Sequence, residues 1–243
     1  LEITRAHDVD EIVIAVPSAS PAELRRVVEE CEAALVKFKV LPGIAAVLAG
    51  NVRLNQLRDL RIEDLLGREP VQLELPRLYD DLRGRSVLIT GAAGSVGSEL
   101  ARQVALHDPG ILILLDQAET PLFYLEREMR ERHSDLQMEF IVGDVVDATA
   151  INRLFHDYAP SRVYHAAAYK HVPVMQTNPR QAVRNNVLGT YLVGDAAGRF
   201  EVEKFVLVST DKAVKPTSVM GATKRLAEIA VSDLQRQYPA TSF

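Results

Sequence analysis

Thiol chemistry is nearly absent from this 243-residue sequence, which holds a single cysteine, Cys31. That excludes an intrachain disulfide and a zinc site built on cysteines, and it fits a reducing compartment. No metal is expected. Long hydrophobic runs are also missing: the longest, such as Ile111 to Leu115, have strand length and fall far short of the roughly 18 residues a membrane helix needs. There is no basic excess either, since 28 Lys and Arg stand against 33 Asp and Glu for a net charge of −5. A nucleic-acid partner is therefore not expected. No signal peptide, internal repeat or low-complexity tract is visible, and the chain opens on Leu1, so the expectation is a soluble segment of something longer.

What is present is an ordinary globular composition, 47% hydrophobic and 25% charged, with enough length to bury a substantial core. The first part alternates strand and helix signals. Glu11 to Val16 is a β-branched run; Ser20-Pro21-Ala22-Glu23 then places Ser at an N-cap, Pro at the first helical position and Glu at the third, a capping box. Leu24, Val27, Val28, Cys31, Ala34 and Leu35 follow at helical spacing and mark one buried face, so Cys31 is expected in a core. A second strand is expected at Phe38 to Leu41 and a short helix at Ile44 to Leu48. Residues 51–84 read as a connector with helical patterns near Ile62 to Leu66 and Leu75 to Leu82. No glycine-rich loop in residues 1–50 identifies a ligand there.

From Ser86 the alternation becomes regular. Strands are expected at Ser86 to Thr90, Gly110 to Leu115, Met138 to Val142, Arg162 to Ala166 and Phe205 to Ser209. Helices are expected at Ser95 to His107, Pro121 to Arg132, Ala148 to Tyr158, Pro179 to Gly198 and Gly221 to Gln237. This order predicts an α/β fold with a parallel sheet covered on both faces.

The chemistry sits at the strand ends. Gly91-Ala92-Ala93-Gly94-Ser95-Val96-Gly97 follows the apolar strand Val87-Leu88-Ile89 and opens a helix. Small residues there let the backbone approach a diphosphate, whose charge lies among the unpaired N–H groups of the helix start. The spacing differs from the usual Gly-x-Gly-x-x-Gly, so the context carries the reading. Asp116, nineteen residues past Gly97, ends the second strand, where a carboxylate accepts the ribose hydroxyls of an adenosine and repels a 2′-phosphate. NAD is expected rather than NADP; an ordinary strand-end carboxylate is the alternative. Asp144 and Val145 end the third strand and face an adenine edge, unless Asp144 serves only an Asx turn. In His165-Ala166-Ala167-Ala168 the alanines leave room for a flat ligand, while His165 reads as a core histidine with satisfied hydrogen bonds. Lys170 and His171 follow, either toward a substrate or as a solvated loop pair.

Ser209-Thr210-Asp211-Lys212 ends the fifth strand, and Met220-Gly221-Ala222-Thr223-Lys224 begins the last helix. Together with Asn186-Val187-Leu188-Gly189-Thr190, these motifs resemble the extended short-chain dehydrogenase/reductases. Within them, the sequence is similar to the bacterial nucleotide-sugar 4,6-dehydratases of polysaccharide and glycan biosynthesis, particularly the membrane-anchored, two-domain members. The resemblance covers residues 52–239. It implies a Rossmann-like doubly wound sheet over residues 85–243 without the C-terminal substrate-binding part, preceded by a partial second Rossmann-like domain over residues 1–50 and a connector over residues 51–84.

The resemblance further implies dehydration of a UDP-sugar, UDP-N-acetylglucosamine above all, to the 4-keto-6-deoxy sugar. Hydride leaves C4, the ketone acidifies the C5 proton, water is lost across C5 and C6, and hydride returns at C6 with NAD retained throughout. It assigns Asp211 as the acid at the C6 hydroxyl, Lys212 as the base at C5, Thr210 as a partner of the C4 oxygen and Lys224 as a ribose ligand. Its cofactor contacts fall on Gly91, Gly94, Ser95, Val96, Gly97, Asp116, Asp144, Val145, Ala166, Ala167, Ala168, Asn186 and Lys224. Met220 stands in the catalytic set where the wider superfamily has tyrosine. A thioether cannot move a proton, so Thr210 with Lys212 or a water is the candidate C4 base, and a packing role for Met220 is open.

The chemistry also makes an electrostatic demand. Half-neutralising a lysine at pH 7 means lowering its pKa by about three, roughly 4 to 5 kcal/mol, and Asp211 must move up to hold a proton. A plain surface Asp–Lys pair is the alternative. Two other functions stay open: a UDP-sugar C4 epimerase, disfavoured because it needs neither C5 base nor C6 acid, and a non-catalytic NAD-binding module. The resemblance implies a homo-oligomer, contact with the inner membrane only through an N-terminal anchor of the parent protein, a cytoplasmic-face location, and little or no turnover by these 243 residues alone.

Overall fold

The computed structural model describes residues 81–243 without a break and, before them, residue 9 and residues 11–16, 23, 26–28, 30, 31 and 37–40. The chain divides into two compact units, Leu1–Leu73 and Glu74–Phe243. In the first, strands β1 (Glu11–Ile14) and β2 (Lys37–Val40) pair in parallel, and residues 23, 26–28, 30 and 31 between them are helical. Val28 and Cys31 are buried there, as is Ile14. Val27, expected on the same buried face, is instead exposed; one residue turns a helix by about 100°, which carries it to the edge of the apolar stripe. The capping box at Ser20 to Ala22, the helix at 44–48 and the connector at 51–80 lie outside the described residues.

The second unit contains a five-stranded parallel sheet of β3 (Ser86–Thr90), β4 (Ile111–Asp116), β5 (Met138–Val142), β6 (Arg162–His165) and β7 (Lys204–Leu207), in the spatial order β5-β4-β3-β6-β7. Helices α1 (Ser95–Ala105), α2 (Glu119–Arg132), α3 (Ala148–Tyr158), α4 (Val172–Thr177), α5 (Pro179–Ala182), α6 (Thr190–Arg199) and α7 (Val219–Gln237) connect them. The pleat decides the layers. Val87, Ile89, Leu112 and Leu114 pack under Val104, Leu122, Leu125 and Met129 of α1 and α2. Leu88, Ile113 and Leu115 pack on Ile151, Phe155, Val193 and Ala197 of α3 and α6. Both faces are covered, which makes the fold a doubly wound α/β sheet.

Two expectations are corrected in detail. The long helix at Pro179 to Gly198 is broken by a π-helical turn, Val183–Gly189, between α5 and α6, and its wider winding turns Asn185 and Asn186 inward. The last strand stops at Leu207, because the chain beyond it is held by side chains of α7. The helix α4, begun with Pro173 in its first turn, and a 3₁₀ turn, Asp211–Ala213, were not anticipated. At the other end of the sheet, Arg162 gathers Glu203 at 2.7 Å and Asp81 at 3.0 Å.

Candidate functional site

Strand order reverses between β3 and β6, and the crevice outside their carboxyl ends is where open α/β sheets take ligands. Gly91 turns the chain there with φ +69°, a conformation that disfavours side chains. A Cβ at Gly91 would lie 2.5 Å from the Ala167 nitrogen, so the turn touches the end of β6. At Gly97 a Cβ would lie 2.0 Å from the Gly91 carbonyl oxygen, so helix α1 packs directly on the turn. Gly94 caps α1 without a side chain, leaving the first N–H groups, around Ser95 and the exposed Val96, free to meet an anion. Lys170 reaches across and donates to Ser95 Oγ at 2.6 Å, which puts its ammonium beside the helix start.

The carboxylate of Asp116 is fixed by two backbone donors: Oδ2 accepts from Ala93 N–H and Oδ1 from Ala118 N–H, both at 2.9 Å. Each oxygen keeps a further acceptor position for a ligand hydroxyl. Gly91, Gly94, Asp116, Asp144, Val145 and Ala166 to Ala168 line one groove of about 220 Å³. Asp144 accepts from Val146 N–H at 3.1 Å, an Asx turn, and faces Arg184 at 3.5 Å. Gln117 and Tyr169 also line the groove and are joined by a hydrogen bond of 3.2 Å from the amide to the phenol. These residues fit a dinucleotide: the positions where a Cβ would clash are glycines, the helix start awaits an anion, and an oriented carboxylate stands one strand away.

Behind the groove lies a fully buried polar chain. His165 Nδ1 is 2.6 Å from Thr90 Oγ1, and its Nε2 is 3.0 Å from Thr190 Oγ1. Thr190 gives its own proton to the Asn186 carbonyl at 2.7 Å, so it accepts from His165 Nε2–H, and Nδ1 accepts from Thr90. Burial, and then the charge of Lys224, lower the imidazole pKa to about 3. Asn186, grouped with the cofactor residues and read as support for the site, is wholly buried, and its amide is spent on the backbone N–H and C=O of Tyr169 and on Thr223 Oγ1. It shapes the groove by fixing Tyr169, and its neighbour Asn185 lines the wall.

Beyond β7, Thr210 Oγ1 caps the 3₁₀ turn through Lys212 N–H and donates to Asp211 Oδ1 at 2.9 Å. Lys212 Nζ lies 3.5 Å from the same oxygen, with side-chain exposures of 56% for Lys212 and 87% for Asp211. The expected upward displacement of Asp211 is corrected here. The Thr210 hydroxyl, and then Lys212, hold its carboxyl below the usual range, because hydrogen bonds and an adjacent cation favour the anion. Lys224 is buried and donates to the Val208 carbonyl at 2.7 Å; desolvation lowers its pKa to about 8. Met220 packs among Met175, Ala182 and Val172, a hydrophobic setting. His171 precedes α4 as an exposed residue whose side chain makes no capping bond.

Sequence reasoning passed over Gln117, Tyr169, Arg184 and Asn185. The first two follow strand-end motifs and are legible by position. The other two depend on the π-helical turn, which no pattern announced.

Among the described residues, no helix is long and apolar enough to cross a membrane. The family described as "Polysaccharide biosynthesis protein" matches residues 87–243. The Staphylococcus aureus capsular polysaccharide biosynthesis protein CapD is 41% identical over 244 residues, covering 100% of this chain and 41% of its own length. A UDP-N-acetylglucosamine 4,6-dehydratase (inverting) of Campylobacter jejuni is 34% identical over 142 residues, covering 58% of this chain and 41% of its own length. This chain thus spans about two fifths of the curated relatives it matches. A crystal structure of a Stenotrophomonas UDP-glucose 4-epimerase with bound NAD and formylated UDP-arabinopyranose shares the fold, with TM-score 0.58 and 22% identity over 63% of this chain and 49% of that one. The chain belongs to the polysaccharide biosynthesis protein family and shares its Rossmann-like α/β fold with the UDP-glucose 4-epimerase.

Proposed function

We propose that the protein of which these residues form part catalyses the NAD-dependent 4,6-dehydration of a UDP-N-acetylhexosamine, UDP-N-acetylglucosamine in the first place, to the 4-keto-6-deoxy sugar. The observation that carries the reading is the pairing of two strand ends. The glycine groove with Asp116 lies at β3 and β4, and Thr210, Asp211 and Lys212 stand together beyond β7, beside the β6 end that lines the groove. NAD, when held by the glycine turn and Asp116, would supply the hydride acceptor and, once reduced, the hydride donor, so no net oxidation would be required of the protein.

The chain's own groups do the rest. Asp116 holds the adenosine ribose, the α1 start and Lys170 neutralise the diphosphate, and Ala166 to Ala168 leave the crest of the sheet open. As hydride leaves C4, a water hydrogen-bonded to Thr210 takes the C4 hydroxyl proton and leaves the ketone; Lys212 takes the C5 proton, and Asp211 protonates the departing C6 hydroxyl, which leaves as water. In the exposed turn Asp211 is an anion. A sugar lying on it excludes water and favours the protonated acid.

Incubation of the full-length protein with UDP-N-acetylglucosamine in deuterated water tests this. The expected product has lost one water and carries deuterium at C5. Recovery of a C4-inverted sugar of unchanged composition would replace dehydration by epimerisation, and an unaltered sugar with NAD still bound would leave a binding module.

A further inference from the structure

Helix α7 presents Ser218, Gly221, Lys224 and Glu228 at spacings of three and four residues, which puts them on one face. That face is aimed at the segment between β7 and the 3₁₀ turn. Ser218 Oγ accepts from Gly221 N–H at 3.1 Å and caps the helix. Gly221 lies so close to the turn that a Cβ would sit 2.5 Å from the Lys212 carbonyl oxygen. One turn on, Lys224 Nζ donates to the Val208 carbonyl at 2.7 Å. A further turn on, Glu228 Oε1 accepts the hydroxyl of Ser209 at 2.6 Å, while its other oxygen accepts from Arg225 at 2.9 Å.

The three contacts fall on Val208, Ser209 and Lys212, which bracket Thr210 and Asp211. The segment needs such anchoring. Sheet pairing ends at Leu207, the last ladder-like bond is Val208 N–H to His165 O at 3.0 Å, and the turn closes only on itself through Ala213 N–H to Thr210 O and Val214 N–H to Asp211 O, both at 3.1 Å. Ala213 alone of the turn is buried, so packing supplies little. A carboxylate accepting a short hydroxyl bond is among the stronger neutral-to-charged contacts.

We propose that Glu228 is a positioning residue, which through Ser209, and in concert with Lys224 and Gly221, fixes the turn that carries Thr210, Asp211 and Lys212. The role of that turn in turnover rests on the dehydration reading above; the clamp itself does not. The Ser209 hydroxyl, and then Arg225, keep Glu228 below the usual carboxylate range, so the clamp is charged at neutral pH.

Two measurements on the full-length protein decide it. In amide hydrogen exchange, Glu228→Ala and Ser209→Ala are each expected to speed exchange in the peptide covering residues 210–214 at least about tenfold, with the β3 and α1 peptides unchanged, and the double variant adds little. In turnover, each lowers kcat about 10- to 100-fold with KM and bound NAD within about threefold, since a misplacement of one ångström costs on that scale. Glu228→Gln, which still accepts from Ser209, is expected to recover most of both. Unchanged exchange at 210–214 in both alanine variants, or exchange raised everywhere alike, overturns the clamp. An unchanged kcat in a protein whose wild type turns over overturns the positioning role in turnover, even where exchange at 210–214 rises. If the wild type converts no UDP-sugar, the dehydration reading falls and the exchange result alone decides the clamp. Should Glu228→Ala not fold, Ser209→Ala carries the same test.

Discussion

Thr90 and His165 are register partners on neighbouring strands β3 and β6, and their side chains meet at 2.6 Å, oxygen to Nδ1, in the fully buried floor of the groove. The imidazole is consequently neutral, with its pKa lowered to about 3 by burial and by Lys224. In the unfolded chain a histidine takes up its proton near pH 6.5. Stability from this group is therefore complete above pH 6.5 and is lost as the pH falls toward 3, by up to about 1.4 kcal/mol per pH unit. His165→Gln removes that slope. Urea midpoints between pH 7 and pH 4 are expected to fall less steeply for the variant, although at pH 7 it is less stable by about 1 to 3 kcal/mol. Parallel curves for the two proteins would contradict the assignment.

Lys224 presents the opposite balance between stability and use. Its ammonium is buried against Val208 O with a pKa lowered to about 8. Below pH 8 the protein bears the cost of a buried cation, about 3 kcal/mol when referred to a free lysine. Lys224→Met removes that cost and forfeits one hydrogen bond of about 1 kcal/mol. The variant is expected to melt higher at pH 7, to lose this advantage as the pH rises through 8 toward 10, and to bind NAD poorly. A lower melting temperature at pH 7 would count against the burial cost.

The sheet and its ligand end were legible in the sequence because they depend on local signals. Val87 to Ile89 and Ile111 to Leu115 are apolar runs bounded by turn residues, Gly91 and Asp116 sit where a strand must end, and Gly97 lies in the first turn of the helix that follows. What was not legible depends on contacts distant in sequence. The π-helical turn exists where Asn186 reaches back to Tyr169, seventeen positions earlier. Burial of Met220 depends on Met175 and Ala182 from α4 and α5. The shortened β7 follows from Lys224 and Glu228 capturing Val208 and Ser209 from a helix not yet begun. Ionisation was the least legible: the pattern named Asp211 and Lys212, but the hydrogen bond from Thr210, and then Lys212, set the direction of the Asp211 displacement.

Two of the glycines carry different loads. Gly91→Ala meets both a left-handed backbone at φ +69° and the Ala167 backbone at 2.5 Å. Gly97→Ala drives a methyl group to 2.0 Å from the Gly91 carbonyl. Each is expected to cost about 1 to 3 kcal/mol of stability, since backbone must shift to admit the new atom, and each should purify with little bound NAD. Gly84, also at positive φ but with open space around it, serves as the control: Gly84→Ala is expected to destabilise through backbone strain alone and to retain NAD. Thermal melts paired with cofactor content after purification separate the two classes. NAD retention by both turn variants would remove the glycine turn from the binding site.

Met220 decides between a packing and a chemical role for the position that opens the last helix. Its side chain is buried with Met175 and Ala182, and its carbonyl accepts from Thr223 Oγ1 at 2.8 Å, a bond that any residue can provide. Thr223 in turn accepts from Asn186, so the backbone here, rather than the thioether, is joined to the polar frame of the groove. Met220→Leu conserves volume and is expected to cost under about 1.5 kcal/mol, with kcat within a few fold of the parent in the full-length protein. Met220→Tyr adds bulk to a filled cluster and is expected to cost about 1 to 3 kcal/mol, without raising the rate, because the new phenol must compete with Met175 and Ala182 for space. A gain in kcat for the tyrosine variant, or a collapse of kcat for the leucine variant at unchanged stability, would show that the side chain at 220 takes part in the reaction.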